Sequence, residues 1–579
     1  MKLHWIQSAK SNLKHLKTSY YVTTPIYYVN SSPHIGHLYS SVIADTACRW
    51  QQLYGKHENY KLATGTDEHG TKIQQAAAQH NTPLETYCAN ISDKYRELAK
   101  VFSVNCTDFI RTTDAAHEQA VQHFWRAIRD NGHVYSSKYA GWYCVSDETF
   151  LTDSQLKEAP AARTGEMIKV SAESGHPVEW TEEQNYMFGL SKLADQVKQW
   201  ILKDDTIRPK KFQKILLDMM DEGVPDVSIS RPTARVHWGV KVPEDDTQTV
   251  YVWLDALVNY LTATGYPHPE YTRHWPADLH VIGKDILKFH GIYWPAFLMA
   301  ADVEPPRSIL CHSHWTVDGE KMSKSKGNVV CPIDRSTTYT PDGFRYFLLR
   351  EGVAHSDGNY SETKALRILN SELADTLGNL LSRCCGVALN PEQVFPALEP
   401  EALRIISALD VTQRLMASVA QLPELAEKHY TEHNFYKVVD ATIATLHCAN
   451  LFFETLKPWE LKKSTERRRE LNAVLHVALE TLRVCGIVLQ PIVPNIAANL
   501  LNRINIESGA RRWAHVTKLS WRDASVQSRQ LASDSGVLFK RIVVDAEIPP
   551  AKRTKVKGNK EKKPKVTTEI NEAKLVKEM

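Results

Sequence analysis

The sequence predicts an α/β protein in which a parallel-sheet domain is split by an insertion and followed by an all-α helical bundle. Three observations carry this. Across residues 20–131 and again across 249–320, short apolar runs alternate with helical stretches, the habit of a doubly wound parallel sheet. Between them, 132–248 has another texture: short apolar pieces, a polar loop at 152–174 and a turn-rich segment at 225–243. From Ser361 onward the period changes, with Leu366, Leu369, Leu373, Leu377, Leu380 and Leu381 spaced by threes and fours, and the bundle runs over 361–530. A leader at 1–19, a connecting loop at 321–360 and a basic tail at 550–579 complete the division.

Composition sets limits on this plan. A chain of 579 residues is too long for one core and should hold two to four domains. With 43% apolar and 24% charged residues it reads as an ordinary soluble protein. The net charge is only +3, so no global field announces a polyanionic partner and any such site must be local. Ten cysteines include no Cys-x-x-Cys pair, and Cys384 adjoins Cys385; neither a disulfide framework nor a zinc knuckle is signalled. No apolar run should cross a bilayer, since 475–501 is interrupted by Glu480, Arg483, Pro491 and Pro494.

In chain order, the leader holds Lys2, Lys10, Lys14 and Lys17 among serines, and the first acidic residue is Asp45. That pattern resembles a mitochondrial transit peptide lacking arginine; a frayed cytosolic N-terminus is the alternative. A strand over 20–28 should feed a helix over 33–54, with Ser32 as N-cap and Pro33 as first helical residue. His34 and His37 then share the first turn, where unpaired N–H groups and the dipole suit phosphate, and Gly36 lets a flat base approach. A second strand over 61–65 ends at Thr66-Asp67-Glu68-His69-Gly70, before a helix over 71–79. Ligands of parallel sheets sit at the carboxyl ends of strands, where His34, His37 and Asp67 would converge; Asp67 could meet an amino group there or cap the helix.

The sheet is expected to resume as a continuous apolar strand over 249–255 and again over 279–285. Next, 317–328 reads Val-Asp-Gly-Glu-Lys-Met-Ser-Lys-Ser-Lys-Gly-Asn, a mobile basic loop after a tight turn and suited to a polyanion, or simply a solvated surface. In the bundle, Asn379 and Arg383 lie one turn apart on one helix, and Trp459 ends another; a polar face and a capping aromatic are the plain alternatives. The tail after Pro549 is lysine-rich, with the composition of a disordered segment that could graze phosphates.

His34-Ile35-Gly36-His37 and Lys321-Met322-Ser323-Lys324-Ser325 match both signature motifs of class I aminoacyl-tRNA synthetases. Thr24-Pro25-Ile26-Tyr27-Tyr28, Gly65-Thr66-Asp67-Glu68-His69-Gly70, Val252-Trp253-Leu254-Asp255 and Gly283-Lys284-Asp285-Ile286 resemble the methionyl-tRNA synthetase family, over about residues 20 to 500. The resemblance implies a Rossmann-type catalytic domain, a connective-peptide insertion and an anticodon-binding bundle. It implies that ATP with Mg2+ and L-methionine form methionyl-adenylate and that tRNA(Met) then takes the methionyl group, in the mitochondrial matrix or alternatively the cytoplasm. His34, His37, Lys321 and Lys324 are the implied catalytic residues, joined at ATP by Gly36 and Asp285. Ile26, Tyr28, Asp67, Trp253, Tyr260 and His290 form the implied methionine pocket, with Asp67 on the ammonium and the Tyr260 phenol or the His290 N–H facing sulfur.

Asn379, Arg383 and Trp459 are the implied anticodon readers. Relatives carry cysteine pairs near Cys144 and near 174–177, whereas this chain has Cys144 alone, so a zinc-free insertion is expected. No oligonucleotide-binding barrel is recognisable after the bundle, so a monomer is expected. Two rivals remain: an adenylate-forming nucleotidyltransferase without tRNA, which the long bundle opposes, and a non-catalytic tRNA binder, which has no use for paired phosphate-binding histidines.

Overall fold

The computed structural model describes residues 17, 19–57, 59–145, 149–151, 153–161, 165–172, 174–322, 327–523, 527–533 and 536–543. Lys324, most of the expected leader and the whole basic tail lie outside them.

Six parallel strands form the central sheet. In chain order they are β1 (Ser19–Tyr28), β2 (Asn59–Asp67), β3 (Asp108–Arg111), β4 (Ile207–Arg208), β5 (Leu279–Gly283) and β6 (Ile309–His312), and their order in the sheet is β3-β2-β1-β5-β6-β4. The chain winds outward from β1 on one side and returns beside β1 with β5, which creates a crevice outside the carboxyl ends of those two strands. β1 is rich in tyrosine and β-branched residues, as suits a strand covered on both faces. Gly65 in β2 has a packing reason, since a Cβ there would lie 2.0 Å from the Ile110 carbonyl oxygen.

One expectation needs correction. The 249–255 stretch is not a strand of this sheet: Asp245–Val250 belongs to a separate three-stranded antiparallel sheet, and Val252–Thr262 is a helix. Within 132–248, β4 supplies an edge strand of the main sheet, paired with β6. A short β-bridge is carried there by residues 190–221, whose Trp200, Ile201, Phe212 and Leu216 pack into the same core as Trp294 and Phe297. The insertion also holds a four-stranded antiparallel sheet built on Val134–Cys144 and Glu179–Phe188, and a two-stranded one, Leu156–Pro160 with Met167–Ser171.

The helical region follows. Glu362–Ile368, a π-helical stretch Leu369–Gly378 and Asn379–Cys385 run on as one rod, packed with Asp410–Thr431, Phe435–Leu456 and Arg468–Leu489. Arg468–Leu489 is long and apolar enough to cross a membrane, against the reading of 475–501, but 94% of its apolar window is buried inside the protein. Its Glu480 and Arg483 do not interrupt it because they neutralise each other in a bidentate pair at 2.7 and 2.8 Å.

Sheet and bundle share one core. Arg345 is fully buried, pairs with Asp45 at 2.7 Å, and donates to the carbonyls of Phe102, Pro491 and Ile492. Asp45 sits in the helix Ile35–Tyr54 that covers the sheet, so a single guanidinium ties that helix to the turn after Arg468–Leu489 of the bundle. Removing one partner of such a buried pair costs about 3 to 5 kcal/mol.

Candidate active site

The helix after β1 starts at Ile35, two residues later than expected, and His34 rather than Ser32 is its N-cap. The Gly36 N–H donates to His34 Nδ1 and the His34 N–H donates to His37 Nδ1, each at 3.1 Å. The Ile35 N–H goes to the Val330 carbonyl and the His37 N–H to the His34 carbonyl. These four backbone donors are therefore engaged, and phosphate would be met by the imidazoles instead. In their neutral forms, Nδ1 acceptors leave the proton on Nε2 of both rings, which stack at 3.8 Å between centroids. Burial, and secondarily the charge of His34, pushes the His37 pKa well below its ordinary value, which favours that neutral donor. Gly36 is required by this cap: a Cβ would come within 2.9 Å of the His34 ring.

Every residue expected at the reaction centre except Lys324 lines one cavity of about 600 Å³. Asp67 ends β2 directly beside Tyr28 at the end of β1. It is not a helix cap, since Gly70 holds that position for Thr71–Gln79. Trp253 stacks flat on Phe289, with centroids 3.8 Å apart and planes 8° from parallel.

Tyr260 and His290 are 2% and 1% exposed and lie 2.7 Å apart, phenol oxygen to Nε2. His290 Nδ1 lies 2.9 Å from the Ile286 carbonyl, which can only accept, so Nδ1 carries the proton and the phenol O–H donates to Nε2. Burial lowers the His290 pKa to about 4, which keeps the ring neutral. Both donors expected to face sulfur are thus used within the protein. The walls offered to an apolar group are ring faces, including the tryptophan, a soft surface for a thioether.

At the opposite lip, Asp285 follows β5 and meets His314 Nε2 at 3.0 Å, while Lys284 Nζ meets Asp357 at 2.7 Å. Burial pushes the Asp285 carboxyl up, but the hydrogen bond and charge of His314, then Lys321 and Lys284, bring it below its ordinary value. Lys321 is exposed on the second strand of a tight hairpin, Trp315–Val317 to Glu320–Lys321, turned by Asp318 and Gly319 at φ 48° and 84°. The hairpin is anchored by Asp318 N–H to the Tyr360 carbonyl and Gly319 N–H to Asn359 Oδ1. Sequence reasoning missed His314, Asp357 and Phe289. His314 lies two residues beyond the end of β6, at the carboxyl edge where ligands bind, and that position was the available signal.

The bundle trio is only partly assembled. Arg383 lies 5.6 Å from the Trp459 ring centroid and 4.6 Å from that of Phe453. Asn379 is exposed one turn before it on the same helix. Trp459 begins a new short helix, Pro458–Leu461, after Lys457 turns the chain at φ 45°. The guanidinium also holds Glu454 at 2.6 Å, a partner the sequence did not suggest. Among the described residues no group of three or more His, Cys, Asp or Glu side chains is placed to hold a metal ion, and Cys144 is buried.

A family profile described as tRNA synthetases class I (M) matches residues 20–385. The mitochondrial methionine–tRNA ligase of Homo sapiens is 45% identical over 536 residues, covering 90% of each chain. That of Takifugu rubripes is 47% identical over 533 residues, again covering 90% of each. The methionine–tRNA ligase of Rickettsia felis is 38% identical over 92% of this chain and 100% of its own length. Among solved structures, methionyl-tRNA synthetase of Mycobacterium tuberculosis in complex with methionyl-adenylate superimposes with a TM-score of 0.83 at 35% identity, covering 90% of this chain and 100% of that one.

Proposed function

The chain belongs to the class I methionyl-tRNA synthetases, and from that premise we propose how its cavity and its bundle divide the work of methionine–tRNA ligation. The enzyme activates L-methionine with ATP to methionyl-adenylate and then charges tRNA(Met). In the first step a methionine carboxylate oxygen attacks the α-phosphorus, the bond to the bridging oxygen breaks, and pyrophosphate leaves with the electron pair. In the second, the 2′-hydroxyl of the terminal adenosine attacks the methionyl carbonyl and AMP departs.

The observation that carries the residue assignment is the single cavity that joins the Asp67–Trp253–His290 group to the His34–His37–Asp285–Lys321 group. Asp67 holds the ammonium, and Ile26, Tyr28, Trp253, Tyr260 and His290 enclose the side chain. Nε2–H donors of His34 and His37 meet the phosphates, Asp285 binds the nucleoside, and Lys321 with Lys324 neutralises charge growing on pyrophosphate. The protein needs no nucleophile of its own, because positioning and charge suffice for such a transfer. Mg2+ would arrive on the ATP phosphates; Asp285 and Asp357 are the carboxylates at that lip, and a substrate-borne Mg2+ asks for one or two.

Arg383, Trp459 and Asn379 form the anticodon platform, supported by the guanidinium lying over the indole. The insertion, with Cys144 as its lone cysteine, folds without zinc, and the protein works as a monomer without a membrane partner. Relatives described as mitochondrial at 45% and 47% identity support the mitochondrial matrix, with the cytoplasm as the alternative. Methionine-dependent exchange of labelled pyrophosphate into ATP tests the assignment. Wild-type protein should exchange without tRNA, and Asp67→Ala should not; equal exchange by both would remove Asp67 and the methionine end with it.

A further inference from the structure

Behind the cavity lies a cluster that does not line it. Asp255 is 1% exposed, and its carboxylate accepts from two imidazoles on different elements: His69 Nδ1 at 2.7 Å and His117 Nε2 at 2.9 Å. His117 is itself fully buried and bonds Thr262, at the other end of the Asp255 helix, through Nδ1 at 2.9 Å. Burial pushes the Asp255 carboxyl up, but the charge of His69 and the hydrogen bonds from both rings bring it to about 2. A carboxylate this deep is tolerated only because both oxygens are satisfied.

The positions of these residues in the chain are informative. His69 stands two residues after Asp67, and Asp255 two after Trp253, so the 2.7 Å bond ties the loop after β2 to the first turn of the helix Val252–Thr262. The intervening Glu68 is locked on the other side. Its carboxylate takes Arg111 at 2.8 and 2.9 Å and Thr113 at 2.7 Å, and its N–H goes to Thr112 at 2.9 Å. Asp67 is therefore held between two anchors, and the His69 anchor leads to the helix that carries Trp253. An apolar contact here could slide; a directional hydrogen bond, to a carboxylate whose other oxygen is fixed by His117, sets a distance.

We propose that His69 and Asp255, backed by His117, are positioning residues that set the spacing between Asp67 and Trp253 and thereby the affinity for methionine. This rests on Asp67 and Trp253 forming the methionine end of the site. The test exploits the imidazole's two nitrogens. An asparagine amide falls near Nδ1 and keeps the donor to Asp255, whereas a glutamine amide falls near Nε2 and does not.

Pyrophosphate exchange is measured on folded full-length His69→Asn, His69→Gln and Asp67→Ala proteins, with melting temperatures taken alongside. His69→Gln should raise KM for methionine roughly tenfold, the size expected when a binding group is displaced by a fraction of an ångström. His69→Asn should stay within about threefold of wild type, and KM for ATP within about twofold in both, because the nucleotide end is anchored elsewhere. Unchanged methionine KM in His69→Gln, equal rises in both variants, or methionine and ATP values moving together would each overturn the proposal. If His69→Gln behaves like wild type while Asp67→Ala has lost methionine, the pocket reading stands and only the positioning role falls. If Asp67→Ala keeps its methionine KM, both fall.

Discussion

The sheet cavity and the bundle platform present similar side chains under opposite conditions. At the sheet, Tyr260 and His290 are almost fully buried and already bonded to each other and to the backbone, so both side chains are fixed before a ligand enters. On the bundle, Trp459 is 36% exposed and Arg383 lies over it, held by an exposed glutamate and the Phe453 ring. Chemistry on an acyl phosphate needs fixed dipoles in a site that excludes water, because a preorganised donor is worth more there than in solvent. Reading an unpaired base needs an accessible plane and donors that can exchange partners. The two regions should therefore fail differently when altered.

The largest effect is expected at the lysine loop. Lys324→Ala should lower the rate of adenylate formation about a hundredfold or more in single-turnover assays, with methionine affinity little changed. An unchanged rate would make the loop a surface feature and remove the sharpest property of the sheet end. A smaller effect is expected at Tyr260→Phe, which deletes the O–H donated to His290 and keeps the ring. Leaving Nε2 without its donor should cost roughly 1 to 3 kcal/mol of stability, read as a lower Tm, with a smaller rise in methionine KM as the freed imidazole shifts. No change would mean that this buried bond is not part of the preorganisation.

The smallest effect concerns pH. His290 has its folded pKa lowered to about 4 from 6.5, so the folded form stays neutral while the unfolded chain binds the proton. Its contribution to stability therefore falls as pH drops from about 6.5 towards 4, and methionine KM should show no His290 inflection between pH 6 and 8. Comparing pH profiles of wild type and His290→Gln checks this; an inflection near 6.5 present only in wild type would show the ring charging in the pocket.

The contrast also explains what could be read from the chain. β1 and β2 were visible as short runs of apolar, aromatic and β-branched residues, each followed by a helical stretch. Most cavity residues were legible through motifs that fall at the carboxyl ends of β1, β2 and β5, in an adjoining helix or, for Lys321, on the hairpin after β6. Competing local interactions were not legible. Ser32 is a better N-cap by type than His34, but the ring–backbone exchange between His34 and His37 satisfies more donors, and the helix starts later.

The apolar run at 249–255 could not be told from a buried helix turn by periodicity, and the structure makes most of it helix. Glu480 and Arg483 looked like interruptions because sequence does not show that two opposite charges three residues apart can be buried as a pair. The same blindness hid Glu454 beside Arg383 and the His69–Asp255 bond, both of which join residues far apart in the chain.

The separation of the two ends is tested most directly by Trp459→Ala assayed twice on one folded preparation. Losing a base-stacking aromatic should cost roughly 1 to 3 kcal/mol in tRNA(Met) charging, about 5- to 150-fold in kcat/KM for tRNA, while methionine-dependent pyrophosphate exchange without tRNA stays at the wild-type rate. Charging that survives Trp459→Ala undiminished, or exchange that falls in step with charging, would contradict the division of labour between cavity and bundle.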